Sequence, residues 1–449
     1  MIKILILAAG KGTRMNSDLP KCLHKVYDKT MIEYIINTCS KITTNINVIV
    51  GHKSNLVEEV IKPMNVNIIH QEELLGTAHA VIQAINIIND EDTMLILNAD
   101  MPLITVDSLN KVIELFKEEK KEGIVVSSIF NKYLPYGRII KDSNNNLIEI
   151  VEENECTNKQ LSIKEVNVGI YCFNGKYLKL ALNKITTNKK EMYLTDVPYY
   201  INQLGGKILV YLNSDFKQFQ GVNTKEELLD VTRYMLDTVI KRHIENGVNF
   251  IDRNNVYIGT DVVIKNNVTI YPNVFISNNC LINENTILYS GTNITSSTIG
   301  ANCIIENSKI NKSIIGNNCT IGPFSNIRQD CIIKDNIRIG SFVELKNSYI
   351  DNNTKIPHLS YIGDTTIGTN VEVACGVITC NMNTKYKKNK TTIEDNAFIG
   401  ANSILVAPIK VGSNSLVGAG SVITSNVEDN DLVLTRANLI TKKDYNKEN

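Results

Sequence analysis

An excess of charge of either sign is missing from this chain of 449 residues, because 47 lysines and arginines balance 47 aspartates and glutamates. This balance excludes the strongly basic surface typical of nucleic-acid-binding proteins. The sequence also lacks any apolar run of the length needed to cross a bilayer. We therefore expect small-molecule substrates, no nucleic acid and no membrane insertion, although local basic clusters can still bind phosphates.

Paired cysteines are missing as well. Ten cysteines are present, but no Cys-x-x-Cys pair occurs, and the closest two are Cys375 and Cys380. This spacing disfavours a metal site, and single thiols within apolar segments act as small hydrophobic side chains. Because Met1 is followed directly by a predicted apolar strand, we expect no signal peptide. These features predict reduced cysteines and a cytoplasmic protein.

The N-terminal segment combines an apolar strand, predicted at residues 2–7, with small residues and cations. The strand is followed by residues with little or no side chain, Ala8, Ala9, Gly10 and Gly12. Three cations lie nearby, Lys11, Arg14 and Lys21. Because backbone N–H groups at small residues can approach a ligand closely, this combination predicts a phosphate-binding loop. The glycines alone would also fit an ordinary strand–helix turn.

This loop matches neither common nucleotide-binding fingerprint. The Gly-Lys-Ser/Thr ending of a Walker A sequence is absent, and Met15 stands where a dinucleotide fingerprint has its third glycine. The identity of the ligand therefore has to come from the rest of the first half of the chain.

Strand-like and helix-like segments alternate through this first half. Strands are predicted at residues 2–7, 47–50, 66–70, 94–97, 123–129, 166–173 and 207–211, with helices at 31–40 and 77–88. This alternation predicts an α/β domain with a largely parallel sheet and helices on both faces. Because ligands bind at the carboxyl ends of such strands, the residues that follow each strand are the candidates for a site.

Polar residues follow two of these strands. Gln71 and then Gly76-Thr77 come after the third strand, and this pair could offer hydrogen bonds to a base or simply cap the next helix. Asp100 follows the fourth strand. An aspartate at this position is a standard Mg²⁺ ligand when phosphates supply further oxygens, whereas a plain turn before Pro102 is the alternative.

The second half has a different texture. Residues 226–245 have helical periodicity and predict an arm between two domains, in which we expect His243 at the surface. From about residue 256, aliphatic residues recur every six positions, as in Ile315-Gly316, Ile321-Gly322 and Ile339-Gly340. This hexapeptide repeat predicts an all-β, left-handed parallel β-helix of roughly ten coils. Residues 381–390 form a basic insertion that cannot be a coil. The predicted divisions are 1–225, 226–246 and 247–449.

The first half resembles the sugar-1-phosphate nucleotidylyltransferases. The matching motifs are Leu7-Ala8-Ala9-Gly10-Lys11-Gly12-Thr13-Arg14-Met15 with Pro20-Lys21, Leu75-Gly76-Thr77-Ala78-His79, Tyr136-Gly137-Arg138, Ile150-Val151-Glu152-Glu153, Asn167-Val168-Gly169 and Gln220-Gly221-Val222-Asn223. Their order is similar to the uridylyltransferase half of the family of bifunctional N-acetylglucosamine-1-phosphate uridyltransferases and glucosamine-1-phosphate acetyltransferases.

This resemblance implies a site in which two polyanions, UTP and a sugar phosphate, react with release of pyrophosphate. It implies that Arg14 and Lys21 neutralise phosphate charge, while Asp100 and Asn223 hold Mg²⁺. The nucleotide would be bound by Leu7, Ala8, Ala9, Gly10, Lys21, Gln71, Gly76 and Thr77. The sugar would be bound by Gly137, Glu152, Asn167 and Asn223.

The second half resembles the acetyltransferase half of the same family. The matching segments are residues 321–328, 342–346, 358–364 and 378–381. The resemblance implies that His358 is the general base for acetyl transfer from acetyl-CoA. The sugar phosphate would be bound by Arg328, Lys346, Tyr361, Glu372 and Asn381, and coenzyme A by Cys375, Ala401, Ala419 and Arg436. Glu372, Met382 and Ala401 depart from the family pattern.

Together the two halves imply a homotrimeric enzyme of UDP-N-acetylglucosamine synthesis, a precursor of cell-envelope polymers. Two alternatives remain at this point: a uridylyltransferase whose β-helix is only a trimerisation scaffold, and a non-catalytic sensor of sugar nucleotides. The presence of Lys21, Asp100 and Asn223 argues against the sensor, because a sensor need not keep metal ligands.

Overall fold

The computed structural model describes residues 1–130, 135–143, 146–186, 191–443 and 445. The chain divides into an N-terminal unit, Met1–Met235, and a C-terminal unit, Leu236–Asn449. The N-terminal unit is built from alternating strands and helices, and the C-terminal unit from short parallel strands. The predicted fold class, an α/β nucleotidyltransferase domain followed by a β-helix, is confirmed.

The N-terminal unit contains one mixed sheet flanked by helices. Its strands are β1 (Ile2–Ala8), β4 (Ile46–Val50), β5 (Asn67–His70), β6 (Thr93–Asn98), β7 (Gly123–Ile129), β8 (Arg138–Lys141), β9 (Leu147–Val151), β10 (Glu165–Asn174) and β11 (Ile208–Leu212), and a separate hairpin is formed by β2 (Lys25–Val26) and β3 (Lys29–Thr30). Its helices are α1 (Met31–Cys39), α2 (Ser54–Ile61), α3 (Thr77–Ile82), α4 (Val106–Glu119), α5 (Asn158–Leu161), α6 (Gly175–Leu182) and α7 (Val197–Gln203), and the last helix, α8 (Lys225–Glu245), continues into the C-terminal unit.

The strand order β11-β7-β10-β6-β1-β4-β5 brings the ends of β1 and β6 side by side. These two strands are parallel, with Leu7 opposite Asn98, so that the phosphate-binding loop and Asp100 leave the same edge of the sheet. β10 runs antiparallel to both β6 and β7. The seven predicted strands are present, whereas β8 and β9 were not predicted, and the helix predicted at 77–88 ends at Ile82.

The C-terminal unit winds around three flat faces. Face 1 has eleven strands: Asn249–Phe250, Thr269–Ile270, Ile287–Leu288, Ile304–Ile305, Thr320–Ile321, Arg338–Ser341, Lys355–His358, Glu372–Val373, Phe398–Ile399, Leu416–Val417 and Leu432–Val433. Face 2 has ten: Val256–Ile258, Val274–Ser277, Asn293–Thr295, Lys309–Asn311, Asn326–Ile327, Glu344–Lys346, Tyr361–Gly363, Ile378–Cys380, Ile404–Val406 and Val422–Ile423. Face 3 has nine: Val263–Ile264, Leu281–Ile282, Thr298–Ile299, Ile314–Ile315, Ile332–Ile333, Tyr349–Ile350, Thr365–Ile367, Thr391–Ile393 and Ile409–Val411.

The six-residue period has a direct structural cause. In most strands one aliphatic residue points into the prism, and Ile270, Ile276 and Ile282 are fully buried in this way on successive faces. At the corner between faces 3 and 1, asparagines adopt the left-handed conformation that this residue tolerates. Asn353 has a φ of 61° there. It accepts a hydrogen bond from Asn336 and donates one to Asn370, each at 3.1 Å.

Two features outside the regular coils bear on the predictions. The insertion at 381–390 leaves the coil as predicted, and Met382 and Lys388 pair there as an antiparallel bridge. The prediction of a surface His243 was wrong, because this side chain is only 2% exposed. His243 lies four residues after Val239 and three after Ile240, both buried, and therefore falls on the apolar side of α8.

Candidate active sites

The larger of two adjoining cavities in the N-terminal unit lies where β1 and β6 end, and its volume is about 560 Å³. Gly12 is required beside it, because its φ is 61° and an added Cβ would lie 2.5 Å from the Cβ of Lys21. The predicted residues that line this cavity are Leu7, Ala8, Ala9, Gly10, Lys21, Gln71, Gly76, Thr77 and Asp100. The structure thus brings together the residues predicted to bind the nucleotide.

A second cavity of about 200 Å³ adjoins the first. The predicted residues in its wall are Arg14, Gly137, Glu152, Asn167, Asn223 and Asp100. The two cavities share Leu7, Thr77, Asn98 and Asp100. Ligands in the two cavities would therefore meet beside Asp100. Sequence reasoning missed Asn98, Tyr136 and Thr195, although Asn98 directly follows a predicted strand and carried that signal.

A charged cluster occupies the junction between these cavities. The Lys21 ammonium forms an ion pair with Asp100 Oδ2 and donates to Asn223 Oδ1 at 2.7 Å. Arg14 Nη2 donates to the same Asn223 oxygen at 2.9 Å. Oxygen atoms from two distant segments therefore converge on positive charge at this point.

The donor set at this junction fits Mg²⁺, which prefers carboxylate and carbonyl oxygens. Asp100 and Asn223 supply two such oxygens. Both oxygens contact the positively charged Lys21 ammonium, which shows that they attract a cation. In the part of the chain that the structure describes, no group of three or more His, Cys, Asp or Glu residues forms a metal cluster. Phosphates and water would have to complete the coordination.

The smaller cavity is polar along one wall. Thr195 Oγ1 donates to Glu152 Oε1 at 2.8 Å, and burial raises the pKa of the Glu152 carboxyl. The Asn167 N–H donates to the Gly137 carbonyl at 2.8 Å, and the Asn167 side chain donates to Tyr171 at 2.7 Å. These contacts fix hydrogen-bonding groups in the wall of this pocket of about 200 Å³.

The opposite end of the larger cavity is built from tightly packed backbone. Gly76 has a φ of 118°, and an added Cβ would lie 2.4 Å from the Met192 carbonyl. Thr77 does not cap its own helix. Its hydroxyl accepts from the Leu194 N–H at 2.9 Å instead. The Gln71 amide donates to the Gly76 carbonyl at 3.1 Å. These contacts hold the segment from Gln71 to Thr77 in a fixed conformation. This favours its use in binding a base over a plain helix cap.

A second set of predicted residues follows face 2 of the β-helix. Arg328, Lys346, Tyr361 and Asn381 lie within or directly after strands of successive coils. The positive charges of Lys388 and Arg328 lower the pKa of the Lys346 ammonium. Arg328 forms a half-exposed ion pair with Glu344 at 2.8 Å. This concentration of cations favours binding of an anion.

The remaining predicted residues form a column at the corner between faces 1 and 2. The Gly376 N–H donates to the His358 carbonyl, which sets Cys375 one coil above His358. Asn402 in turn bonds to Cys375, and Gly420 to Ala401, both at 2.7 Å. Arg436 Nη1 bonds to the Ala419 carbonyl at the end of this column. His358 is exposed and directly precedes the turn to Tyr361. Glu372 does not join either set, since it lies on face 1 beside Lys355.

Comparison with known proteins agrees with this division. Residues 3–215 match the nucleotidyl transferase family, residues 252–350 match the GMPPB C-terminal domain, and residues 390–425 match the hexapeptide repeat of succinyl-transferase. A relative in Thermosipho africanus, "Bifunctional protein GlmU", is 41% identical over 99% of this chain and 97% of its own length. The chain belongs to the GlmU family.

Two further GlmU proteins show the same extent of similarity. Those of Clostridioides difficile and Streptococcus thermophilus are each 40% identical, over 99% and 98% of this chain and 97% and 96% of their own lengths. The prediction of a bifunctional acetyltransferase and uridyltransferase is thereby confirmed. None of the helices that the structure describes combines the length and the apolar character needed to span a bilayer.

Proposed function

We propose that the larger cavity binds UTP and the smaller cavity binds N-acetylglucosamine 1-phosphate, within a uridylyltransferase domain of residues 1–225. A phosphate oxygen of the sugar attacks the α-phosphorus of UTP, a P–O bond forms, and pyrophosphate leaves. The charged junction at Lys21, Asp100 and Asn223 carries this proposal, because it lies where the two cavities meet. Positioning two polyanions and neutralising their charge are the main tasks of such a site.

The side chains at this junction have separate roles in the proposal. Asp100 and Asn223 would hold Mg²⁺, which supplies positive charge to the phosphates when bound. Lys21 and Arg14 add positive charge from the phosphate-binding loop, and Gln71 with Gly76 and Thr77 binds the uracil base. Glu152, Asn167 and Gly137 bind the sugar hydroxyls and acetamido group.

We place acetyl transfer at the corner column of the β-helix, within residues 247–449. His358 takes a proton from the amine of glucosamine 1-phosphate as the nitrogen attacks the thioester of acetyl-CoA. A C–N bond forms, the C–S bond breaks, and the coenzyme A thiolate leaves and becomes protonated. General-base assistance of this kind contributes roughly 10²–10⁴-fold. Arg328 and Lys346 bind the sugar phosphate, and Tyr361 and Asn381 orient the sugar.

Coenzyme A binding is assigned to the same column. Cys375, Ala401 and Ala419 follow one another along the corner, and Arg436 is tied to its end. A long, narrow ligand with a phosphate-bearing end fits a line of small side chains ended by a cation. Glu372, on face 1, would act only if it pairs with the substrate ammonium.

One pair of variants tests both assignments. Asp100→Asn should abolish pyrophosphate release from UTP and N-acetylglucosamine 1-phosphate, while thiol release from acetyl-CoA and glucosamine 1-phosphate continues. His358→Ala should show the reverse pattern. If the unmodified protein releases pyrophosphate but no thiol, the result supports the scaffold alternative. If it catalyses neither reaction, the result supports the sensor.

We also propose a homotrimer that forms through the β-helix. Phe324 and Phe342 stack with ring centroids 5.3 Å apart, and with Leu359 they form an apolar corner. The exposed fractions of Phe324, Phe342 and Leu359 are 53%, 58% and 59%. Neighbouring apolar side chains with this much exposure are unusual on a monomer and indicate an interaction surface. Light scattering should give three chains, and Phe342→Glu should lower that number.

The ten cysteines are all free, which supports a reducing compartment such as the cytoplasm.

A further inference from the structure

The Gln71 side chain is held by two contacts at the base-binding end of the larger cavity. Its amide nitrogen Nε2 lies 3.1 Å from the Gly76 carbonyl oxygen and 3.0 Å from Nδ1 of His79. An amide nitrogen has two protons, so the protein uses both of them. Among the residues that the structure describes, none bonds to the Gln71 carbonyl oxygen Oε1, which is not sealed from solvent.

His79 occupies a position behind this glutamine. Gln71 lines the cavity, whereas His79 does not. The second ring nitrogen of His79, Nε2, lies 3.1 Å from the side-chain amide of Gln83. His79 therefore lies behind the cavity wall, in contact with Gln71, which does line the cavity.

The Gly76 carbonyl determines which nitrogen of the His79 ring carries the proton. This carbonyl can only accept a hydrogen bond, so Gln71 must present its N–H groups on this side. Nδ1 of His79 then also accepts, which places the proton of the neutral ring on Nε2. The Gln83 amide nitrogen lies 3.1 Å from both Nε2 and the His79 carbonyl oxygen, so this tautomer requires the Gln83 amide to turn its oxygen toward Nε2. This arrangement directs Oε1 of Gln71, an acceptor, toward the cavity.

We propose that His79 is a positioning residue that sets the base selectivity of the nucleotide site through Gln71. Uracil carries a donor at N3, which an inward-facing carbonyl oxygen accepts, whereas cytosine carries an acceptor at N3 and is repelled. A site built around a fixed polar group discriminates strongly against a base that leaves this group unpaired. The inference rests on the proposed binding of UTP in this cavity.

Two variants of His79 test this role. His79→Leu removes one of the two acceptors that hold the Gln71 amide and leaves only the Gly76 carbonyl to oppose its rotation, so the KM for UTP should rise about 3- to 10-fold, the range for a neutral hydrogen bond. The kcat should change little, because the base is remote from the reacting phosphate. The ratio of kcat/KM for UTP to that for CTP should fall by about tenfold, because a rotated amide can donate to cytosine. His79→Asn places an amide oxygen near the position of Nδ1 and should restore most of the selectivity.

His70→Asn is the matched control. His70 directly precedes Gln71 in the sequence but lies 3.7 Å from Glu58, and it is half exposed. Its replacement should leave both nucleotides unaffected. If His79→Leu lowers kcat equally for UTP and CTP, or if its selectivity equals that of the unmodified protein, the proposed role is overturned. If the unmodified protein does not use UTP at all, the proposed function fails instead.

Discussion

The buried His243 side chain should lower the stability of the C-terminal unit, and the structure allows the size of this effect to be derived. The imidazole is 2% exposed, and within the described residues neither ring nitrogen has a hydrogen-bond partner. Burying a polar group without a partner costs about 1–3 kcal/mol. His243→Leu should therefore increase the free energy of unfolding of the C-terminal unit by about this amount at pH 7.

The same burial makes the stability depend on pH. Burial, assisted by the positive charge of Arg242, lowers the pKa of His243 from 6.5 to about 4. The folded state therefore resists protonation, while the unfolded chain takes up a proton once the pH falls below 6.5. Stability should thus be lost as the pH falls from 6.5 toward 4. Between pH 7 and pH 5 this loss is about 1–2 kcal/mol, where the lower value allows for screening by solvent.

Guanidinium unfolding followed by circular dichroism can measure both effects. The chain has no tryptophan, so fluorescence gives little signal. Because the two units can unfold in separate transitions, the transition of the C-terminal unit has to be analysed on its own. The comparison includes His243→Gln, which removes the titration without adding an apolar side chain. If the Leu variant and the unmodified protein lose the same stability between pH 7 and pH 5, a neutral, buried imidazole is not the cause.

Three other predictions concern single side chains. Because burial raises the pKa of Glu152, its carboxylate becomes protonated at a higher pH than an ordinary glutamate. The acid limb of kcat/KM for the sugar phosphate should therefore lie at higher pH than usual and disappear in Glu152→Gln. Arg328→Ala should raise the KM for glucosamine 1-phosphate about tenfold or more, as expected for loss of a charged hydrogen bond. Arg338→Ala, on face 1, should not change this KM, and an equal effect of both would refute the assignment. Asn353→Ala should lower the free energy of unfolding by about 2 kcal/mol, since alanine disfavours its left-handed backbone and breaks the asparagine ladder, whereas a loss below about 0.5 kcal/mol would show that the ladder adds nothing.

The elements of the fold could be predicted where periodicity was strong. The buried strands β1, β4 and β6 are nearly continuous apolar runs, and the β-helix repeats an aliphatic residue every six positions. β8 and β9 were missed because charged residues, Arg138 and Lys141 in β8 and Glu149 in β9, interrupt their short apolar pattern. His243 was placed wrongly because its residue type was weighed above its position on the helix.

The site could be predicted only in part. Motifs after β1 and β6 pointed to residues that the sheet brings to one edge. The partners of those residues come from distant segments that no local pattern connects. Thr195, which bonds to Glu152, and Leu194, whose N–H bonds to Thr77, are of this kind. Their roles depend on tertiary packing, which appears only when the chain is folded.

One chain should carry two independent sites, one at Asp100 and one at His358. Neither Asp100→Asn nor His358→Ala alone should convert glucosamine 1-phosphate, acetyl-CoA and UTP into UDP-N-acetylglucosamine. A mixture of the two purified variants should do so, because the acetylated sugar phosphate made by one can diffuse to the other. Product formation by the mixture is the predicted result. Absence of product from the mixture, when each variant keeps its other partial reaction, would contradict the claim.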